Sequence, residues 1–257
     1  MSKDINFDKH SKRFKKNIYQ TDKGRLRLKL VSDDLFAHTP VLNCDQSIKI
    51  LDAGCGMGQV SLSLAKQGHS VTLCDISAEL LETAASEFQQ QGLDAVFINT
   101  AIQQLSEDHY QQYDLIVFHA VLEWLDQPDK IVSELKKFLK PGGYISLMFY
   151  NRNSIIFYNI LKGNFRKVLK QDFKGHPGGL TPVNPIDPIE LDQWLVAADI
   201  EVIKKTGIRV FYDYLNKDLK QARSFEDVLK MEQLYSAEPG FYMMGRYIHY
   251  ICHYPVK

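Results

Sequence analysis

Cysteine is scarce: four residues among 257, at Cys44, Cys55, Cys74 and Cys252, with no C-x-x-C pair. That usage argues against a zinc site or a disulfide framework and predicts free thiols in a reducing cytoplasm. Nowhere does the chain hold the ~18 uninterrupted apolar residues that a membrane-spanning helix needs. The first residues, MSKDINFDKHSKRFKK, are charged throughout and lack the apolar core of a signal peptide. Net charge is also missing, with 31 Lys and Arg against 31 Asp and Glu. The charge is nevertheless unevenly spread. Residues 1–30 carry ten basic residues against three Asp, and residues 151–176 carry six against one. Such asymmetry fits either a polyanion-binding surface or two solvated helix faces. A 45% hydrophobic and 24% charged composition is that of a soluble globular protein, and the length suits one large α/β domain.

What the chain does have is a loop. In IKILDAGCGMGQ (Ile48 to Gln59) a short apolar run ends in Asp52 and bends through Gly54, Gly56 and Gly58 before a helical stretch begins. Glycines let the backbone approach a nucleoside-bearing ligand where a Cβ would collide. A dinucleotide site would place its third glycine three positions beyond Gly56, where this chain has Gln59. Asp52 at the loop's mouth would repel a pyrophosphate but suits a cationic amino-acid moiety. About twenty residues on, VTLCD ends at Asp75, whose carboxylate can take both ribose hydroxyls, cap the next helix, or do both. DLIVFHAVLEW (Asp114 to Trp124) supplies a third buried strand. LKPGG (Leu139 to Gly143) is expected to close a helix before a fourth, YISLMFY. The combination implies S-adenosylmethionine as cofactor and methyl transfer as the chemistry.

Strands are predicted at Ile48–Asp52, Ser70–Asp75, Ala95–Asn99, Leu115–His119 and Tyr144–Tyr150, with intervening helices stopped by Gly68, Gly92 and Gly142. This alternation implies a mostly parallel sheet with helices on both faces. Phe7, Phe14, Ile18 and Tyr19 suggest an amphipathic helix within an N-terminal helical extension, residues 1–44. A cofactor-binding core (45–150) follows, then a basic insertion and linker (151–186) containing GHPGGLTPVNPIDP, which cannot be regular structure. The remainder (187–257) opens with a capped helix at Asp187-Pro188-Ile189-Glu190. It continues with a strand at Ile200–Lys205, a capped helix at Ser224–Tyr235 and a strand within Tyr242–His253, making seven strands in one domain.

The C-terminal half carries a more specific likeness. FHAVLEW, PGGYISLMFYN, GNF (Gly163 to Phe165), KTGIRVFYDYL (Lys204 to Leu215), GRYIH (Gly245 to His249) and NIYQTDKGRLR (Asn17 to Arg27) together resemble the bacterial tRNA 5-carboxymethoxyuridine methyltransferases, nearly end to end. The resemblance implies a Rossmann-like class I methyltransferase fold. It also implies methyl esterification of the carboxylate on a modified wobble uridine of tRNA, with tRNA as partner and neither metal nor membrane. By resemblance the cofactor contacts fall on Arg27, on Gly54 and Cys55, on Asp75, on Ala101 and Ile102, and on His119. Asp52, Gly56 and Ile76 complete the expected cofactor set. Where the family is expected to carry a dense Lys/Arg run, this chain has QDFKGHPGG (Gln171 to Gly179), a departure that bears on how firmly this loop grips RNA.

A carboxylate nucleophile with pKa near ~4 is ionised at neutral pH and needs no general base. Charge is annihilated on the way to the transition state, so positioning and water exclusion carry the catalysis, and only a moderate clamp on the carboxylate is wanted. Arg209, in the apolar run GIRVF, is the candidate clamp, unless it is paired internally. Tyr150 and Asn151 end a core strand, where they either touch substrate or close a turn. His119 is either a pocket contact or a satisfied core histidine. Arg27 with Lys23 would bridge cofactor and phosphate, and Arg246 and His249, on the last strand, face either RNA or nothing in particular. Tyr19, Phe149, Phe211, Tyr212 and Tyr214 are candidates to stack a splayed base, although most such aromatics are core. The alternative is a small-molecule methyltransferase acting on a quinone or carboxylic acid.

Overall fold

Short runs rich in apolar residues, in the central strands buried on both faces, form β1 (Lys49–Ala53), β2 (Ser70–Asp75), β3 (Val96–Asn99), β4 (Tyr113–His119), β5 (Leu139–Tyr150), β6 (Glu201–Ile208) and β7 (Tyr247–His253). In the computed structural model, which describes residues 8, 21–175 and 182–256, they join one sheet in the order β3-β2-β1-β4-β5-β7-β6. Neighbours from β3 to β5 pair parallel, and β7 inserts antiparallel between β5 and β6. The winding reverses between β1 and β4, so a crevice opens at the carboxyl ends of those strands. Alternate residues feed two cores. Leu51, Ile116 and Phe118 pack on one face, while Ile50, Leu115 and Val117 pack on the other. This is the doubly wound, mostly parallel seven-stranded architecture expected of the sequence.

Nine helices are described: α1 (Asp22–His38), α2 (Gln59–Lys66), α3 (Ala78–Gln90), α4 (Pro128–Phe138), α5 (Arg152–Leu161), α6 (Phe165–Leu169), α7 (Pro188–Ala197), α8 (Lys217–Ala222) and α9 (Phe225–Tyr235). Thr21, Ser77, Asp187 and Ser224 cap α1, α3, α7 and α9 through their side chains. Gly68 and Gly92 follow α2 and α3 with φ of +88° and +66°, as helix-terminating glycines should. Helix α1 buries Leu26, Leu30, Val31 and Leu35, with Leu30 and Val31 against Met148 and Ile208 of the sheet. The expected amphipathic helix at Phe7, Phe14, Ile18 and Tyr19 lies outside the described residues.

Two expectations need correction. Gly142 does not end α4, which stops at Phe138; Leu139 to Gly143 already belongs to β5. Gly142 has φ +82° and donates its N–H to Tyr254 O, so its left-handed backbone marks an irregularity within the strand. Asn151, a candidate catalytic residue that could equally have closed a turn, takes the second part: it is wholly buried and its amide is engaged on both sides. Its Nδ2 donates to Met243 O at 2.7 Å and Gly245 O at 2.9 Å, and its Oδ1 accepts from Asn153 N at 3.0 Å. It therefore pins the end of β5 to the turn entering β7.

That turn contains a tight crossing. A Cβ on Gly245 would lie 2.8 Å from Gly207 Cα, and one on Gly207 would lie 2.7 Å from Tyr242 O. The two backbones approach so closely that only glycine fits. Their followers, Arg209 and Arg246, are thereby brought together across the sheet's end.

Asn151→Ala leaves two buried carbonyls without donors, so unfolding stability should fall by about 2–4 kcal/mol, measured by urea denaturation. A loss below about 0.5 kcal/mol would mean that water replaces the amide.

Candidate functional site

A cavity opens at the carboxyl ends of β1, β2 and β4, with α1 as one wall. All ten residues expected to contact cofactor line it: Arg27, Asp52, Gly54, Cys55, Gly56, Asp75, Ile76, Ala101, Ile102 and His119. Thr100, Gln103, Leu80, Val121 and Trp124 also line it and went unread in the sequence. Only position signals them: Leu80 in the first turn of α3, Thr100 and Gln103 after β3, Val121 and Trp124 after β4.

The glycine loop hangs from β2. Gly54 and Cys55 both donate to Cys74 O, and Gly56 N donates to Asp75 Oδ2 at 2.7 Å. Asp75 Oδ1 accepts from Ser77 N at 2.8 Å, while Ser77 itself caps α3. Asp75 is thus a brace between loop and helix, with lone pairs left for a ligand hydroxyl. All three loop glycines have positive φ. However, a Cβ on Gly54 would sit 2.4 Å from Val121 Cγ2, and one on Gly58 would sit 2.7 Å from Leu73 Cδ2. Protein packing demands these two glycines independently of any ligand, which revises the expected reason for them.

Asp52 accepts from Ser61 Oγ at 2.6 Å and is almost fully buried. Burial pushes its carboxyl up to about 7, with the Ser61 hydrogen bond opposing and the Asp75 charge adding to the rise. Asp75 is also raised, chiefly by burial, with the Ser77 and Gly56 amides opposing. Two acids facing one mostly apolar cavity suit a ligand with a cationic part, a ribose and an apolar base face. The donor set therefore fits S-adenosylmethionine. Ala120, at the tip of β4, is held at φ +58° with its N–H donated to Met148 O at 2.7 Å. A non-glycine residue in that region marks stored backbone strain at the cavity edge.

His119 lines the cavity and is also satisfied within the core, its Nε2 lying 2.7 Å from Ser146 Oγ. Burial, the neighbouring His249 and Arg27 push its pKa well below the ordinary histidine value, which keeps the ring neutral.

Beyond His119, cationic and aromatic side chains gather around one acid. Asp213 Oδ2 lies 3.1 Å from Arg209 Nε and 3.2 Å from Arg246 Nε, and its Oδ1 lies 3.9 Å from Lys23 Nζ. Arg246 Nη1 donates to Tyr150 OH at 2.8 Å. Arg209, at φ +62°, is therefore internally paired, and it does not line the cofactor cavity. Its guanidinium lies 5.4 Å from the Tyr247 ring centroid, and that of Arg27 lies 5.9 Å from the same ring, linking cluster to cavity. Glu232 fixes the turn after Arg209 by accepting from the amides of Val210, Phe211 and Tyr212. Sequence reading left Arg246 open between facing RNA and having no role, and missed Asp213 and Tyr247, because only the register Tyr150↔Tyr247 brings them together.

Several aromatics proposed for base stacking are committed elsewhere. Phe149 is wholly buried, Phe211 packs edge-on against Tyr235 and Phe241, and Tyr214 OH donates to Met244 O. Tyr19 lies outside the described residues. Among the described residues, no group of three or more His, Cys, Asp or Glu is arranged to hold a metal, and no helix is long and apolar enough to cross a membrane.

Residues 50–143 match a family model described as a methyltransferase domain. The chain is 38% identical over 248 residues to the tRNA 5-carboxymethoxyuridine methyltransferase of Escherichia coli strain K12, covering 96% of this chain and 95% of that protein. The ubiquinone biosynthesis O-methyltransferase of Proteus mirabilis is 32% identical, but over only 45% of this chain and 47% of its own. Among solved structures, the fold is like that of the magnesium protoporphyrin IX methyltransferase from Synechocystis with bound S-adenosylhomocysteine: TM-score 0.63, 15% identity, 96% and 95% coverage. It is also like a SAM-dependent methyltransferase from Methanosarcina mazei: TM-score 0.58, 21% identity, 85% and 98% coverage.

The raised carboxyl of Asp52 gives cofactor binding a pH dependence with a definite sign. A cation seated against Asp52 favours its ionised form, so binding below the free-state pKa must expel a proton. Affinity for S-adenosylmethionine should therefore rise about ten-fold from pH ~6 to ~8 and then level off. Calorimetry in two buffers should show proton release at the acid end, and Asp52→Asn should flatten the profile. A flat wild-type profile would mean that Asp52 does not face the cation.

Proposed function

The chain belongs to the family of the tRNA 5-carboxymethoxyuridine methyltransferases, and from that premise we propose how its own residues serve this reaction. The enzyme methylates the carboxylate of 5-carboxymethoxyuridine at the tRNA wobble position, giving the methyl ester. S-adenosylmethionine, held by the glycine loop, Asp52 and Asp75, supplies the electrophilic methyl group. The acceptor carboxylate is already ionised, so no residue is required as a base.

The observation that carries the reading is the convergence of Lys23, Arg209 and Arg246 on the single carboxylate of Asp213, next to a cofactor cavity. Three cations on one acid leave a surplus of positive charge suited to an anionic acceptor. Asp213 also tempers that charge. A bare arginine pair would stabilise the acceptor anion more than the transition state, where its charge is being lost. Tyr150 adds a neutral donor, since its oxygen accepts from Arg246 and its own O–H stays available. The clamp is thus a shared one, Arg209 and Arg246 with Tyr150, rather than Arg209 alone.

Helices α5 and α6 support an RNA partner. Lys162, Arg166, Lys167 and Lys170 accompany Phe165 and Leu169, which are exposed at 60% and 83%. Basic side chains beside exposed apolar ones suit a looped single strand, with phosphates held and a base packed on Phe165. A small-molecule acceptor, the second reading, draws on the partial likeness to the ubiquinone O-methyltransferases and would need no such face.

Incubating the protein with S-adenosylmethionine and tRNA bearing 5-carboxymethoxyuridine, then digesting to nucleosides, should yield the methyl ester by mass spectrometry. Bound cofactor without ester would transfer the reading to a small-molecule acceptor. Tyr150→Phe should lower kcat/KM on that tRNA by about ten-fold or more while cofactor affinity holds. Replacing Arg166, Lys167 and Lys170 together by alanine should reduce the slope of log affinity for tRNA against log salt by about 2. An unchanged slope would remove α6 from the RNA face.

A further inference from the structure

A line of buried polar side chains runs from the cavity into the protein, and methyl transfer to a carboxylate does not itself require it. His119 Nε2 lies 2.7 Å from Ser146 Oγ, Ser146 Oγ lies 2.7 Å from His249 Nε2, and His249 Nδ1 lies 2.6 Å from Asp34 Oδ2. Ser146 and His249 are wholly buried and Asp34 nearly so. The register places His119, Met148 and His249 side by side on β4, β5 and β7. Ser146, two residues before Met148 on the same face of β5, bonds with both imidazoles. Helix α1 closes the line with Asp34, whose Oδ1 accepts from Thr206 Oγ1 of β6 at 2.9 Å.

The polarity of this line is restricted at both ends. Burial pushes the Asp34 carboxyl up, but the hydrogen bond and charge of His249, with Thr206 and His38, outweigh it and hold the group below its ordinary value. An ionised Asp34 only accepts, so His249 must carry a proton on Nδ1. His119 is neutral, so it has one N–H to place. Two arrangements remain. If His249 is neutral, its Nε2 accepts from Ser146, Ser146 accepts from His119 Nε2–H, and His119 Nδ1 is a bare lone pair. If His249 is an imidazolium, its Nε2–H donates to Ser146, Ser146 donates to His119 Nε2, and the proton of His119 moves to Nδ1.

We propose that Asp34, His249 and Ser146 are positioning residues forming a relay that decides whether His119 offers the cleft an N–H donor or a lone pair, and that an anionic acceptor selects the donor arrangement. The choice of acceptor rests on the carboxylate reading above; the relay itself does not. The charged and titratable groups around His249 are Asp34, His38 and Arg27 on α1 and His119 on β4, with His38 Nδ1 3.2 Å from Asp34 Oδ1. Its partners on β5 and β6, Ser146, Met148 and Thr206, are uncharged. Binding of the carboxylate-bearing tRNA therefore takes up one proton from solvent into the relay.

The relay is read directly by nitrogen-15 NMR of histidine-labelled enzyme bound to S-adenosylhomocysteine. In the wild type with 5-carboxymethoxyuridine tRNA also bound, His119 should be protonated on Nδ1. In Asp34→Asn, where His249 loses its anionic partner, the His119 proton should move to Nε2. Ser146→Ala, a small change within β5, should abolish the exchange between the two forms when that tRNA is added. With 5-carboxymethoxyuridine tRNA, Asp34→Asn should raise KM about ten-fold and leave kcat within about two-fold, because the donor binds the anion more than the transition state. Cofactor affinity should hold. The same His119 tautomer in wild type and both variants, or cofactor affinity falling in step with KM, would overturn the relay. A tautomer that switches in an enzyme inactive on that tRNA would overturn the substrate reading instead.

Discussion

Two carboxylates that the protein only partly neutralises set the terms for the rest of the molecule. Asp52 and Asp75 end adjacent parallel strands, buried, facing one cavity, with a hydroxyl and two backbone amides as their principal hydrogen-bond partners. Burying such charge is costly without a partner. The glycine loop, the Ser77 cap and Ser61 on α2 all serve to hold these acids in place. Apolar walls from Ile76, Leu80, Ile102 and Val121 then sharpen their field by excluding water. The cavity is therefore preorganised for a cation, and the electrostatic demand is made by the protein before any ligand arrives.

The cluster around Asp213 is built by a different device. The antiparallel insertion of β7 beside β5 carries Arg246, Tyr247 and His249 to the end of the sheet where β4 and β5 finish. A sheet of parallel strands alone would have to supply those groups from loops. Here the cluster instead hangs on strand register, on the Asn151 pin and on the three amides gathered by Glu232. The generic half of the fold carries the cofactor cavity, and the C-terminal half carries the arginine cluster beside it.

Legibility in the sequence followed the length of chain over which each feature is made. Loop, Asp75 and strand ends were readable because a strand, a turn and a helix are contiguous, and every cofactor contact expected from them lines the cavity. LKPGG misled because a left-handed glycine ends a helix and kinks a strand equally well. Asn151 misled because a polar residue at a strand's end faces inward or outward according to partners more than ninety positions away. The pairing of Arg246 with Tyr150 and the line from His119 to Asp34 join residues separated by 96 and by up to 215 positions. No local pattern records such contacts; they exist only once β7 has chosen its neighbours.

The crossing of Gly207 over Gly245 has a consequence for how this protein can change over time. Most packed pairs drift by compensation, one side chain growing as the other shrinks. Here both partners already have the smallest side chain, and, the Val210 methyl beside Gly207 apart, each faces backbone atoms that cannot shrink, so no compensating exchange of side chains relieves the crossing. The segments GIR and GRY are thus bound to a common fate, and a lineage that loses either glycine loses the spacing of its two arginines with it.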